Sequence, residues 1–262
     1  MEKMAQGSFV TSDGVLISFD DVGSGHPFVF IHGWAATRRF WRFQIERLSE
    51  EYRAVALDLR GHGDSQKQGD LDFSVERMAE DVRELIEHLQ LDGFILVGHS
   101  LGGVVAARVS ASPRSAGLGL VGTAGRIPSP ASALIMRGLM KWRPLASRLI
   151  TPRMFGPDPK QELLDFVRAE SARSSTDVLA SVLKKTAGEP LLAEGMEIDV
   201  PVLVVAGEKD SAIRPKAQRR LARMLGATYR EVPGAGHNVM LERPAELGAI
   251  LEEFARRVWR GQ

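Results

Sequence analysis

Five short runs in this chain are almost wholly apolar: FVFI (28–31), AVAL (54–57), FILV (94–97), LGLV (118–121) and VLVV (202–205). A strand that is apolar on both faces has to be covered on both faces, so these runs demand a sheet buried between two layers. The sequence between several of them supplies the covering. In 75–89, Val75, Met78, Ala79, Val82, Leu85, Ile86 and Leu89 recur at helical spacing behind Ser74, a natural N-cap. Residues 215–225 open on Pro215 and stop before Gly226, and a last helix starts near Pro244 with Leu247, Ile250, Leu251 and Phe254 inward. At the other end, two β-rich runs flank Asp13-Gly14, a hairpin signal. Alternating strands and helices predict an α/β fold with a mostly parallel sheet covered by helices on both faces.

One stretch breaks the alternation. From Gly125 to Gly195 no strand-like run occurs, and Pro128, Pro130, Pro144, Pro152, Pro157 and Pro159 interrupt the helical segments. The expectation is a core made of 1–124 and 196–262, interrupted by a helical cap insertion over 125–195. A chain of 262 residues is long enough for one large core. Lys and Arg number 34 against 33 Asp and Glu, so no global field draws it to nucleic acid or an anionic membrane. There is no cysteine, which removes disulfide and thiolate chemistry. The opening MEKMAQGSFVTSDG lacks the apolar stretch of a secretion signal, and no run approaches the roughly 20 apolar residues that cross a bilayer. A cytoplasmic location is the default expectation, and oligomeric state is not legible.

The FILV run leads into GHSLGG (98–103), a serine fenced by glycines. A nucleophilic serine needs exposure at the end of a rigid element, a base, and donors for the developing oxyanion. A tight strand-to-helix turn meets the first need, and glycines two positions either side remove side chains that would collide. An ordinary βα turn or a phosphate cradle would read the same way, so partners must decide. Of six histidines, His26 and His88 suit solvated surface, and His32 and His62 suit backbone bracing beside glycine. His99 adjoins the serine, but adjacent side chains on a turn point apart. His237, on the glycine-rich loop VPGAGHNVMLERP before the last helix, is the best base. Asp210 follows the VLVV run by a few residues and is the best orienting acid, with Glu208 as its rival. The backbone amides of Trp34, just past His32-Gly33, and of Leu101 are the candidate oxyanion donors. The histidines lack a shared-face spacing with a third ligand, so no metal and no cofactor are expected.

HGW (32–34), DLRGHGDS (58–65), GHSLGG (98–103), GEKD (207–210) and GAGH (234–237) stand in the order of the α/β-hydrolase superfamily, which the chain resembles from about residue 9 to 257. That resemblance implies Ser100 as nucleophile, His237 as base, Asp210 as acid, and an oxyanion hole at Trp34 and Leu101. Fold alone does not fix the reaction. Family members that open epoxides or remove halogen use an aspartate nucleophile, against which Ser100 argues. HGWAA departs from the HGGPG of proline iminopeptidases, and His99 replaces the asparagine common before the serine of carbon–carbon hydrolases. The resemblance therefore implies a serine carboxylesterase-like member that cleaves esters of short to medium acyl chains through an acyl-enzyme. Peroxidase or perhydrolase, lactonase and acyl-thioester hydrolase remain open, as does a triad-bearing receptor with little turnover.

Two features of the insertion bear on substrate. Arg126, Arg137, Lys141, Arg143, Arg148, Arg153 and Lys160 face only Asp158 over 126–160. A solvated helical face is the ordinary reading of such a run, and recruitment of an anionic substrate group, such as the phosphates of an acyl-CoA, is the sharper one. Met136, Met140, Trp142 and Phe155 are candidates to line an acyl pocket, although apolar residues of this kind also serve a cap's own packing.

Overall fold

The structure is a computed structural model that describes residues 5–129, 131, 134, 138 and 143–260. Strands β1 (Ala5–Val10) and β2 (Leu16–Val22) pair antiparallel across the expected turn, where Gly14 takes a φ of 80° and donates to the Thr11 carbonyl at 2.8 Å. The remaining strands are β3 (Pro27–Ile31), β4 (Arg53–Leu57), β5 (Phe94–His99), β6 (Ser115–Val121), β7 (Val202–Gly207) and β8 (Thr228–Val232). They form one sheet in the order β1-β2-β4-β3-β5-β6-β7-β8, parallel from β4 through to β8. All residues of β3, β5, β6 and β7 are buried. That is the doubly covered sheet which the apolar runs require.

The period of two along each strand sorts side chains between two cores. Val29, Ile31, Val55, Leu57 and Leu96 face α2 (Val75–His88) and α3 (Leu101–Ser110), which contribute Met78, Val82, Leu85 and Val104. Phe28, Phe30, Ile95, Val97 and Leu203 face the other way, onto Ile45 of α1 (Arg42–Leu48) and Leu251 and Phe254 of the last helix. Helix α2 begins where its sequence says, with the Ser74 hydroxyl accepting from the Arg77 amide at 3.2 Å.

Between β6 and β7 the described residues form α4 (Arg143–Ile150), a 3-10 turn (Thr151–Met154), α5 (Gln161–Ala172) and α6 (Thr176–Thr186). After β7 come α7 (Pro215–Met224), the short α8 (Val239–Glu242) and α9 (Pro244–Arg260). Met136, Met140 and Trp142, with Arg137 and Lys141, lie outside the described residues.

The strand order also fixes where a ligand can enter. From β3 the chain moves to β4 on one side and to β5 on the other, and at such a reversal the loops leaving the two strands part. In open α/β sheets that crevice, beyond the carboxyl ends of the strands, is where ligands bind. The loops at issue begin at His32 and at Ser100.

Candidate active site

Ser100 is the single residue between β5, which ends at His99, and α3, which begins at Leu101. Its backbone sits at φ 52°, ψ −115°, outside the regions that L-residues favour. Two hydrogen bonds hold it there: its amide donates to the Val121 carbonyl at 3.0 Å, and its carbonyl accepts from Gly103 at 3.0 Å. The flanking glycines are a matter of space. A Cβ on Gly98 would strike the Gly102 carbonyl, and one on Gly102 would strike the carbonyls of Ile31 and His32. The motif is therefore the condition for bringing α3 down onto the end of β3.

The loop after β3 backs directly onto this turn. A Cβ on Gly33 would lie 3.2 Å from that of Ser100. His32 fixes the loop: its Nδ1–H donates to the Gly33 carbonyl at 2.7 Å, and its Nε2 accepts from the Leu59 amide at 3.0 Å. Burial holds the His32 pKa down to about 4, so the ring stays neutral and can keep that acceptor. Arg38, 3% exposed, ties the same loop to the loop after β4 through Asp58 and Asp64 at 2.9 Å, and to β2 through Asp20 at 3.0 Å. Burial opposes the Arg38 charge, but the carboxylates outweigh it and raise its pKa. Leu101 is the first residue of α3, so its amide has no acceptor within the helix. Trp34 occupies the turn closed by Ala36 donating to Gly33 at 3.3 Å.

Asp210 lies just past β7 and is 3% exposed. Its Oδ1 accepts from the amides of Ala212 at 2.9 Å and Ile213 at 2.8 Å, and its Oδ2 from His237 Nδ1 at 2.9 Å and Gln218 Nε2 at 3.0 Å. With the Nδ1 proton committed to a carboxylate, the lone pair of His237 is on Nε2, the tautomer that can take a proton. Glu208, the rival acid, is exposed and accepts from the Gly234 amide and Lys209 instead. The His237 ring covers the end of β6, where a Cβ on Gly122 would lie 3.2 Å from its Cε1 and Nδ1. Because Val121 accepts the Ser100 amide, the imidazole and the serine turn share that strand end.

His99 has a larger part than its sequence position suggests. Its ring meets that of His237 with centroids 4.6 Å apart and planes tilted by 52°, and its Nε2–H donates to the His237 carbonyl at 3.1 Å. Burial foremost, then the neighbouring imidazole, hold its pKa well below the ordinary histidine range. Only the register of β5 against β6, which pairs His99 with Val121, shows this, and the motif alone does not. The His237 loop has two further props. Its amide donates to the Met154 carbonyl at 2.9 Å, and Glu242 on α8 accepts from Gly236 at 3.0 Å and Gly156 at 2.7 Å. Phe155 is 5% exposed, and its backbone packs where a Cβ on Gly236 would stand.

The β6–β7 connection thus touches the site from two sides. The 3-10 turn engages the His237 loop and, through Ser211 Oγ donating to Arg153 at 2.6 Å, the Asp210 loop. Helices α5 and α6 hold the loop after β3: Trp34 Nε1 donates to Leu179 at 3.0 Å, and Thr37 Oγ1 to Glu170 at 2.7 Å. Among the described residues, no three His, Asp or Glu side chains come together as a metal site, and no helix is long and apolar enough to cross a membrane.

A family model described as the alpha/beta hydrolase family matches residues 28–250. The chain belongs to that family. The hydrolase superposes on a thermophilic esterase from Thermogutta terrifontis with a TM-score of 0.87 at 26% identity, over 97% of this chain and 99% of that one. It is 29% identical over 258 residues to the dihydrolipoyllysine-residue acetyltransferase component of the acetoin cleaving system of Pseudomonas putida, covering 93% of this chain and 68% of that protein. A shorter match, 40% identical over 99 residues, relates it to the non-heme chloroperoxidase CPO-A1 of Kitasatospora aureofaciens and spans 37% of this chain and 36% of that one. The fold is that of an esterase-like α/β hydrolase.

Proposed function

We propose that this hydrolase cleaves carboxylic esters of short to medium acyl chains, using Ser100, His237 and Asp210. The reading rests on one observation above others: a serine held at a strained strand–helix turn shares a strand end with an imidazole whose Nδ1–H is committed to a buried carboxylate. Ser100 Oγ attacks the acyl carbon while His237 Nε2 takes its proton. The amides of Trp34 and Leu101 receive the oxyanion, and such donors are worth about 10²–10³ in rate. As the C–O bond to the alcohol breaks, His237 returns the proton to the leaving oxygen. Water then gives a proton to His237 as it attacks the acyl-enzyme, and collapse releases the acid and restores Ser100. Asp210 keeps the imidazole in its working tautomer and balances the imidazolium.

Residues 125–195 are read as a cap on a core of 1–124 and 196–262, supported by the Trp34–Leu179, Thr37–Glu170 and Met154–His237 bonds. Phe155 is its nominated lining residue, along with Met136, Met140 and Trp142. Arg148, Arg153 and Lys160 stand exposed on the same connection, where an anionic substrate group would meet them.

Initial rates on p-nitrophenyl esters from acetate to palmitate test the proposal. Turnover should peak at a short or medium chain and vanish in Ser100→Ala. A wild type inert across the series would overturn the esterase reading. The likeness to a chloroperoxidase supports a second reading, in which peroxide takes the place of water at the acyl-enzyme. Peracid formed from an ester and added peroxide would establish that reading, and its absence would dismiss it.

A further inference from the structure

Gln218 is fully buried on α7, a helix whose other polar residues are exposed cations. It stands at helical spacing with Leu221 and Ala222, so an apolar side chain would serve the packing at this position. The amide does something else. Its Nε2 donates to Asp210 Oδ2 at 3.0 Å and to the Ile213 carbonyl at 2.7 Å, while its buried Oε1 has no hydrogen-bond partner. Both neighbours of the NH2 group are acceptors, so the amide cannot turn over. A buried unpartnered carbonyl is unfavourable, and it is tolerated here with both hydrogens in use.

We propose that Gln218 is a positioning residue, which shares Asp210 Oδ2 with His237 and so fixes how strongly the carboxylate holds the imidazole. This rests on the reading of His237 as the base. The two amides on Oδ1 anchor one side of the carboxylate, and Gln218 anchors the other. Without it Oδ2 has one donor left, the carboxylate can swing about its Cβ–Cγ bond, and its charge is spent wholly on His237. Imidazolium is then over-stabilised, and the base keeps its proton to higher pH. The other ionisable groups facing His237 do not change. His99 on β5 is kept neutral by burial, and Glu242 on α8 is engaged by the Gly236 and Gly156 amides.

The test is Gln218→Met, which keeps the volume and removes the donor, with an NMR titration of the wild type beside it. In the variant kcat should fall about tenfold, with KM within about twofold. The acid limb of its pH–rate profile should move up by roughly half to one unit. In the wild type, the Gln218 side-chain amide resonances should titrate with the His237 ring. A variant with an unmoved pH profile and kcat overturns the proposal, as does a wild-type Gln218 resonance indifferent to the state of His237. The NMR arm decides the matter if the variant fails to fold. It also needs no substrate, so a chain that hydrolyses no ester refutes the function proposed above without touching this result.

Discussion

Asp210→Asn should lower kcat about 10⁴-fold, as expected when the orienting acid of such a triad becomes an amide. The hydrogen bonds dictate how. The amides of Ala212 and Ile213 both point at Oδ1, so the asparagine oxygen must take that position. Its NH2 then stands where Oδ2 was, facing His237 Nδ1 and the NH2 of Gln218. A donor opposite Nδ1 forces the proton onto Nε2, and the ring loses the lone pair that would take the proton of Ser100. Steady-state kinetics on the best p-nitrophenyl ester, with circular dichroism to show the fold kept, checks this. A fall of less than about tenfold would mean that Asp210 does not set the tautomer.

Acid should weaken the fold well before carboxylates titrate. His32, His62 and His99 are buried and neutral, with His32 held down to about 4, His62 to about 3 and His99 well below its ordinary range. Burial is the first cause in each. Protonating His32 would remove the acceptor of the Leu59 amide, and His62 and His99 each have a ring nitrogen with no partner. The sign follows from proton counts. Above about 6.5 neither state binds the proton, so these groups contribute nothing to the pH dependence. Below it the unfolded chain takes up protons that the folded chain refuses, and stability falls with pH down to the folded values. Each imidazole contributes about 1.4 kcal/mol per pH unit, so the three together remove about 4 kcal/mol between pH 7.5 and 5.5. Asp20 and Asp81, whose carboxyls burial pushes up, act in the opposite sense at lower pH. Urea unfolding at the two pH values measures the loss, and His62→Asn should reduce it by about a third. A stability flat across that window would contradict the neutral, buried assignment.

Much of this was legible because the features are local. Apolar runs such as FVFI and VLVV can only be strands covered on both faces, and β3 and β7 extend them by one or two residues. The serine turn, the proposed acid and the proposed base each occupy loops that leave strand ends, so order along the chain nominates them as candidates. What escaped depends on tertiary register. The His99 ring meets that of His237 because β5 pairs with β6 up to the residue before the serine. Gln218 reads as one more polar residue in a basic helix until α7 is seen to lie against the Asp210 loop. Arg38 and Arg60 count as surface charge in any composition, yet both are buried among aspartates.

Covalent labelling probes whether Ser100 is a nucleophile activated by His237. A fluorophosphonate added to the wild type should form a single adduct, located at Ser100 by peptide mass spectrometry, with loss of activity in step with labelling and no adduct in His237→Ala. A protein that remains unlabelled, or one that carries the adduct elsewhere while Ser100 is free, would show that Ser100 is not the activated nucleophile.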